Sequence, residues 1–224
     1  METYIKNPNG NLKNSVSIII PCRRKEDIIY EYPKGCELIV VVGNENPSRL
    51  RDYGAGLAKG EILAFIDSDA YPHKDWIEVA TRYMTDFALG GPSVLPPDST
   101  LKERIADEVY RHLPFSYRVK PTKPMIVKEM PTSNLFVRKD RFMEVGGFGC
   151  DCLTGEDTLL CEKLGGCLYI PELIVYHRRR PIYHPLFKQV ANYGRQRGMF
   201  FRAYLGTVWS YVKNFIGVFL KRRV

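Results

Sequence analysis

Two carboxylate groups and one histidine are the residues of this 224-residue sequence best placed to do chemistry. Asp67-Ser68-Asp69 follows the apolar run Glu61–Ile66, so two carboxylates stand one residue apart and project to the same side of an extended chain. Paired oxygen donors suit a hard divalent cation such as Mg2+ or Mn2+, which usually enters a site together with the phosphates of a substrate. Such a cation draws a diphosphate to the spot and neutralises it as a leaving group. The competing reading is local, with Asp67 and Asp69 capping the turn ahead of Tyr71-Pro72.

The second group, Glu156-Asp157, falls in the first turn of a helix expected over 154–164, with Thr154 and Asp157 at capping-box spacing. The helix dipole favours ionised carboxylates there. Asp157 therefore has two readings, a cap or a general base that deprotonates an acceptor hydroxyl. His177 ends the last apolar stretch and precedes Arg178, Arg179 and Arg180. It is either an exposed histidine or a third ligand to the cation, with the arginines beside the phosphates.

Three short β-branched runs must carry the first group: residues 16–20, ended by Pro21, residues 37–42, ended by Gly43, and residues 61–66. Segments with helical content, 27–32 and 48–59, alternate with them, which predicts a mostly parallel sheet flanked by helices in an α/β fold. Ligands of such sheets bind beyond the carboxyl ends of the strands. The clusters Arg23-Arg24, Gly43-Asn44-Glu45 and Asp67-Ser68-Asp69 all follow strand ends, so three loops converge on one crevice. Further along, helices are expected over 75–87 and 101–113, a loop over 114–131, a strand over 134–137 and strand material over 167–176.

The net charge of +8 is unevenly distributed. Residues 177–224 carry eleven Lys and Arg and no acid; the rest carries 33 − 11 = 22 basic against 25 acidic side chains, a net of −3. The amino-terminal residues lack an apolar signal segment, which makes six reduced thiols the expectation for Cys22, Cys36, Cys150, Cys152, Cys161 and Cys167. The last four lack paired zinc-knuckle spacing.

Taken in order, these segments resemble glycosyltransferase family 2. The matching pieces are Val16–Pro21, Glu37–Val41, Arg51–Gly54, Ala58–Asp69, Ser133-Asn134, Gly146–Phe148, Gly155–Asp157, Pro171-Glu172 and Tyr176-His177. The resemblance implies a GT-A fold and an inverting, metal-dependent transferase that uses a nucleotide-sugar donor. It also implies roles. Asp69, helped by Asp67, would hold Mg2+ or Mn2+ with His177, and Asp157, beside Glu156, would be the catalytic base. Pro21, Arg23 and Arg51 would line the nucleotide pocket, together with Gly43, Asn44, Glu45 and Ser68. Ser133 and Asn134 would face the acceptor. The chain departs from the family in having Val42-Gly43-Asn44-Glu45 where an Asp pair is usual, and Cys22-Arg23-Arg24-Lys25 where an aromatic-Asn pair is usual.

Residues 199–220 are apolar apart from a narrow stripe that includes Arg202, Ser210, Lys213 and Asn214. On a helix this pattern suits an anionic membrane surface better than a span, because Lys213 would sit deep in the bilayer. A helix folded back on the domain, or one forming a homodimer, is the alternative. The expectation is thus a GT-A domain over 1–180 and a membrane-associating tail over 181–224, placed peripherally on the cytoplasmic side of the cell membrane. A lipid-linked acceptor would meet Arg178, Arg179, Arg180, Arg195 and Arg197 through its phosphate. Nucleic acid is excluded as a partner, since the tail's aromatics share a continuous apolar face with Leu, Val and Ile.

Overall fold

The computed structural model of the protein describes residues 1–6, 15–28, 30–111, 121–150 and 155–178. The chain forms two compact units, Met1–Val94 with Pro121–His177, and Leu95–Lys120 with Arg178–Val224. In chain order the first unit contains β1 (Glu2–Lys6), β2 (Val16–Cys22), β3 (Glu37–Val42), α1 (Pro47–Leu57), β4 (Ile62–Phe65), β5 (Ala70–Pro72), α2 (Trp76–Tyr83), β6 (Ala88–Gly90) and β7 (Ser93–Val94). The second unit contributes α3 (Leu101–Arg111), after which the first resumes with β8 (Met125–Val127), β9 (Leu135–Arg138), α4 (Lys139–Glu144), α5 (Glu156–Lys163), β10 (Cys167–Tyr169) and β11 (Val175–His177).

Eight strands form the main sheet in the order β1-β3-β2-β4-β9-β6-β10-β8. The pairings make β2, β3, β4, β6 and β10 run one way, and β1, β9 and β8 the other. The continuous apolar runs of β2 and β3 follow from burial on both faces. Alternate residues serve opposite sides: Ile19, Ile39, Val41 and Leu63 pack with Leu50, Phe142, Phe148 and Leu160. Ile18, Ile20, Val40 and Ala64 pack with Trp76, Ile77, Val79 and Phe136.

A second, three-stranded sheet, β5-β11-β7, stands beyond β4 and carries the end of the chain's last apolar stretch. The segment 167–176 is therefore two strands in two sheets, split by the turn at Pro171. His177 pairs with Ala70, which brings it beside the Asp67–Asp69 turn although more than a hundred residues separate them.

Three local expectations are corrected. The described residues of the stretch 27–32 do not form a helix; a 3-10 turn at Lys25–Asp27 replaces it, with the Asp27 carboxylate accepting from the Arg24 backbone N–H at 3.2 Å. The proline- and lysine-rich stretch contains β8, an antiparallel edge strand against β10. Cys150 is disulfide-bonded, so the expectation of six reduced thiols fails there. Cys22, Cys36, Cys161 and Cys167 are buried, and Cys152 lies outside the described residues.

Candidate active site

The site is built on strand ends. β4 delivers Asp67 after Ile66, and the Ala70 N–H donates to the Asp67 carbonyl at 3.1 Å, closing a tight turn through Ser68 and Asp69. His177 Nε2 lies 3.1 Å from Asp69 Oδ1. One ligand atom from each of Asp67, Asp69 and His177 falls within 4.8 Å of the others. This is the single such grouping among the described residues, and its two carboxylates and one imidazole fit Mg2+ or Mn2+. The side chains are 30% exposed for Asp67, 53% for Asp69 and 19% for His177, so the group opens to solvent on one side.

Below that group lies a buried ionic layer. Arg51, on α1, has only 4% of its side chain exposed. It donates from Nη2 to Asp67 Oδ1 at 2.8 Å and from Nη1 to Glu156 Oε1 at 3.0 Å. Its Nε is buried with no partner, and its guanidinium carbon lies 5.9 Å from the Phe148 ring centroid. A charge in such a place is tolerated because two carboxylates compensate it. The next residue, Asp52, accepts from the backbone N–H groups of Phe148 at 3.0 Å and Gly149 at 3.4 Å, fixing the turn ahead of α5.

Asp157 is the second residue of α5, next to Glu156. Its Oδ1 accepts from the Thr158 N–H at 2.8 Å. Burial, with Glu156 and then Glu129 adding like charge, pushes its carboxyl up to about 6 against the bonds and charges that oppose the shift. The residue at the N-cap is Gly155, with φ of +88°, a conformation that suits glycine. Thr154, expected to cap the helix, lies outside the described residues.

The loops after β2 and β3 form a cleft of about 440 Å³ that brings together Arg23, Gly43, Asn44 and Glu45, two of the three loops expected to share a crevice; Asp67, Ser68 and Asp69 do not line it. Pro21 is buried within β2, opposite Val41. Two contributors were not anticipated: Glu2 and Tyr4 of β1 also line the cleft, and Lys25 Nζ sits 4.0 Å above the Tyr4 ring. Arg51, expected at the nucleotide, pairs with Asp67 and Glu156. Ser133 Oγ lies 3.2 Å from Ser93 Oγ. Asn134 is wholly buried and its amide is engaged at both ends, accepting from Trp76 Nε1 at 2.9 Å and donating to the Leu173 carbonyl at 2.6 Å. In the second unit, Arg178 donates to Glu103 at 3.1 Å and to Asp98 at 2.5 Å. Arg179, Arg180, Arg195 and Arg197 lie outside the described residues, as does the expected helix over 199–220. Among the described residues no helix is long and apolar enough to cross a membrane.

The sequence profile described as glycosyl transferase family 2 matches residues 23–146, more than half of the chain. The chain belongs to this family. Over 159 residues it is 26% identical to the pre-mycofactocin glycosyltransferase of Mycobacterium tuberculosis, covering 67% of this chain and 34% of that protein. Over 154 residues it is 27% identical to the glucosyl-dolichyl phosphate glucuronosyltransferase of Haloferax volcanii, covering 65% of this chain and 49% of that protein. The chain thus spans about a third to a half of the length of the curated relatives it matches. Its fold is similar to that of GalNAc-T7, solved with UDP, GalNAc and Mn2+, with a TM-score of 0.51 at 15% identity. That alignment covers 78% of this chain and 45% of the other. The mixed sheet's similarity to GT-A glycosyltransferases agrees with the GT-A fold that the family resemblance implied and with the mostly parallel α/β sheet expected from the strands. The family match includes Arg51, Asp67 and Asp69 and stops short of Glu156, Asp157 and His177.

Proposed function

We propose that this chain is the catalytic part of an inverting, metal-dependent glycosyltransferase that moves a sugar from a nucleotide-sugar to an acceptor hydroxyl or phosphate. The observation that carries the proposal is the convergence of Asp67, Asp69 and His177 just past β4, with Arg51 bonding both Asp67 and Glu156, the neighbour of Asp157 on α5. Asp69, Asp67 and His177 would hold Mg2+ or Mn2+, which supplies charge neutralisation for a departing diphosphate. The nucleoside would occupy the cleft lined by Arg23, Gly43, Asn44 and Glu45. Asp157 takes the proton from the acceptor hydroxyl as its oxygen bonds to the anomeric carbon. The bond from that carbon to the diphosphate breaks, and the leaving group departs with the electron pair. Attack from the face opposite the diphosphate inverts the configuration. A carboxyl shifted to about 6 suits this work, since it is ionised at neutral pH and still basic enough to accept a proton.

For the acceptor, the acid-free basic stretch from His177 onward supports a lipid-linked phosphate or glycan, with the tail over 181–224 resting on an anionic membrane surface at its cytoplasmic side. The dolichyl phosphate in one relative's name points the same way. A soluble glycan or protein acceptor is the second reading.

The test is a screen of nucleotide-sugars for transfer or hydrolysis with Mn2+, with the anomeric configuration of the product read by NMR. Inversion is expected, and retention overturns the mechanism. Sedimentation with anionic liposomes, with and without residues 199–224, tests the membrane reading; equal recovery in the supernatant removes it.

A further inference from the structure

The charges below the metal-site carboxylates are arranged as a connection. Arg51 lies on the stripe of α1 that faces the core, together with Leu50, Gly54 and Ala55. An arginine in that stripe places its charge where water cannot reach it, and its fork divides, one nitrogen for each of two carboxylates. Those carboxylates come from elements far apart in the chain: Asp67 follows β4, and Glu156 begins α5, 105 residues after Arg51. Because Arg51 occupies Oδ1 of Asp67, it fixes how that side chain presents Oδ2. The same guanidinium fixes Glu156, whose neighbour is Asp157. Asp52, one residue along, pins the backbone of Phe148 and Gly149, so one turn of α1 holds both flanks of the site.

We infer that Arg51 is a positioning residue that couples the cation-facing carboxylates to the helix bearing Asp157. This inference rests on the proposed metal-dependent reading. Its content is that Glu156, which bonds Arg51 and lies outside the Asp67-Asp69-His177 group, changes how tightly the site holds a cation. With Glu156 in place, the guanidinium charge is shared between two carboxylates. Without that charge, Arg51 is compensated by Asp67 alone, grips it more strongly and leaves more positive charge beside the cation. Lysine cannot reproduce the arrangement, since a compact ammonium lacks the planar fork that reaches two carboxylates in fixed directions.

The experiment measures Mn2+ affinity by electron paramagnetic resonance on the full chain without donor, for wild type, Glu156→Gln, Arg51→Lys and the double variant. Urea unfolding of each confirms folding. Glu156→Gln, close in shape to the native side chain, is expected to weaken Mn2+ about five- to tenfold. In the Arg51→Lys background the same change is expected to do less than twofold. Asp69→Asn abolishes Mn2+ binding if the group holds the cation. Wild type that binds Mn2+ with Glu156→Gln unchanged within twofold overturns the coupling and leaves the metal reading standing. Wild type that binds no Mn2+ overturns the metal reading and the coupling with it. Should Arg51→Lys fail to fold, the single Glu156→Gln measurement still decides.

Discussion

The two halves of the candidate site are built in opposite ways. On the β2–β3 side the cleft is walled by exposed loops, where Arg24 pairs with Asp27 in solvent and Lys25 covers Tyr4. On the β4–α5 side, Arg51, Asp67, Glu156 and Asp157 lie close together, with Arg51 almost wholly buried. Exposed pairs contribute little and adapt readily, whereas a buried ion layer holds one geometry and collapses if a member is removed. The part of the site that must orient charge is thus the rigid one. The cleft proposed for the nucleotide is left to loops, and it is there that the chain departs from the Asp pair usual in its family.

Four substitutions probe this contrast, beginning with the largest effect. Asp157→Asn should lower transfer turnover by about 100- to 10,000-fold. Donor affinity, read by calorimetry, should stay within a fewfold of wild type. Arg51→Met leaves Asp67 and Glu156 facing each other without a cation, and should cost about 3–5 kcal/mol in urea unfolding. Arg23→Met and Glu45→Gln in the open cleft should each stay within about 0.5 kcal/mol. A similar loss from both sets would break the comparison.

The pH dependence follows from Asp157. Its folded carboxyl is raised from 3.8 to about 6, so between those values the folded protein binds more protons than the unfolded chain. Stability therefore falls as pH rises from about 4 to about 6, by at most roughly 3 kcal/mol. Activity should rise toward pH 6 and level off above it, because the base must be ionised. Asp157→Asn should remove that slope and be more stable than wild type at pH 7.5, as urea midpoints across pH would show. Lys25→Met should weaken nucleotide affinity only about two- to fivefold.

The buried strands and their loop ends were legible in the sequence, because β2 and β3 are apolar on both faces and each stops at a polar cluster. β1 was not legible: it is exposed along nearly its whole length and has no apolar periodicity. β8 was hidden by the prolines and lysines around it. The three ligand candidates were readable as a family pattern, and the fold explains it by pairing His177 with Ala70. The role of Arg51 was missed because its partners lie 16 and 105 residues away. A usable signal was present: Arg51 falls on the same helical face as Leu50, Gly54 and Ala55, and a charge on a buried stripe implies buried partners.

The central claim is that cation and nucleotide-sugar bind as one unit at Asp67, Asp69 and His177. The most direct test is calorimetric titration of a panel of nucleotide-sugars into wild type and Asp69→Asn, each with Mn2+ and with chelator. At least one donor should bind wild type with Mn2+ and lose about tenfold or more in affinity on chelation. Asp69→Asn should bind that donor equally weakly under both conditions. Binding that ignores both the chelator and Asp69→Asn, or no binding by any donor, would contradict the account.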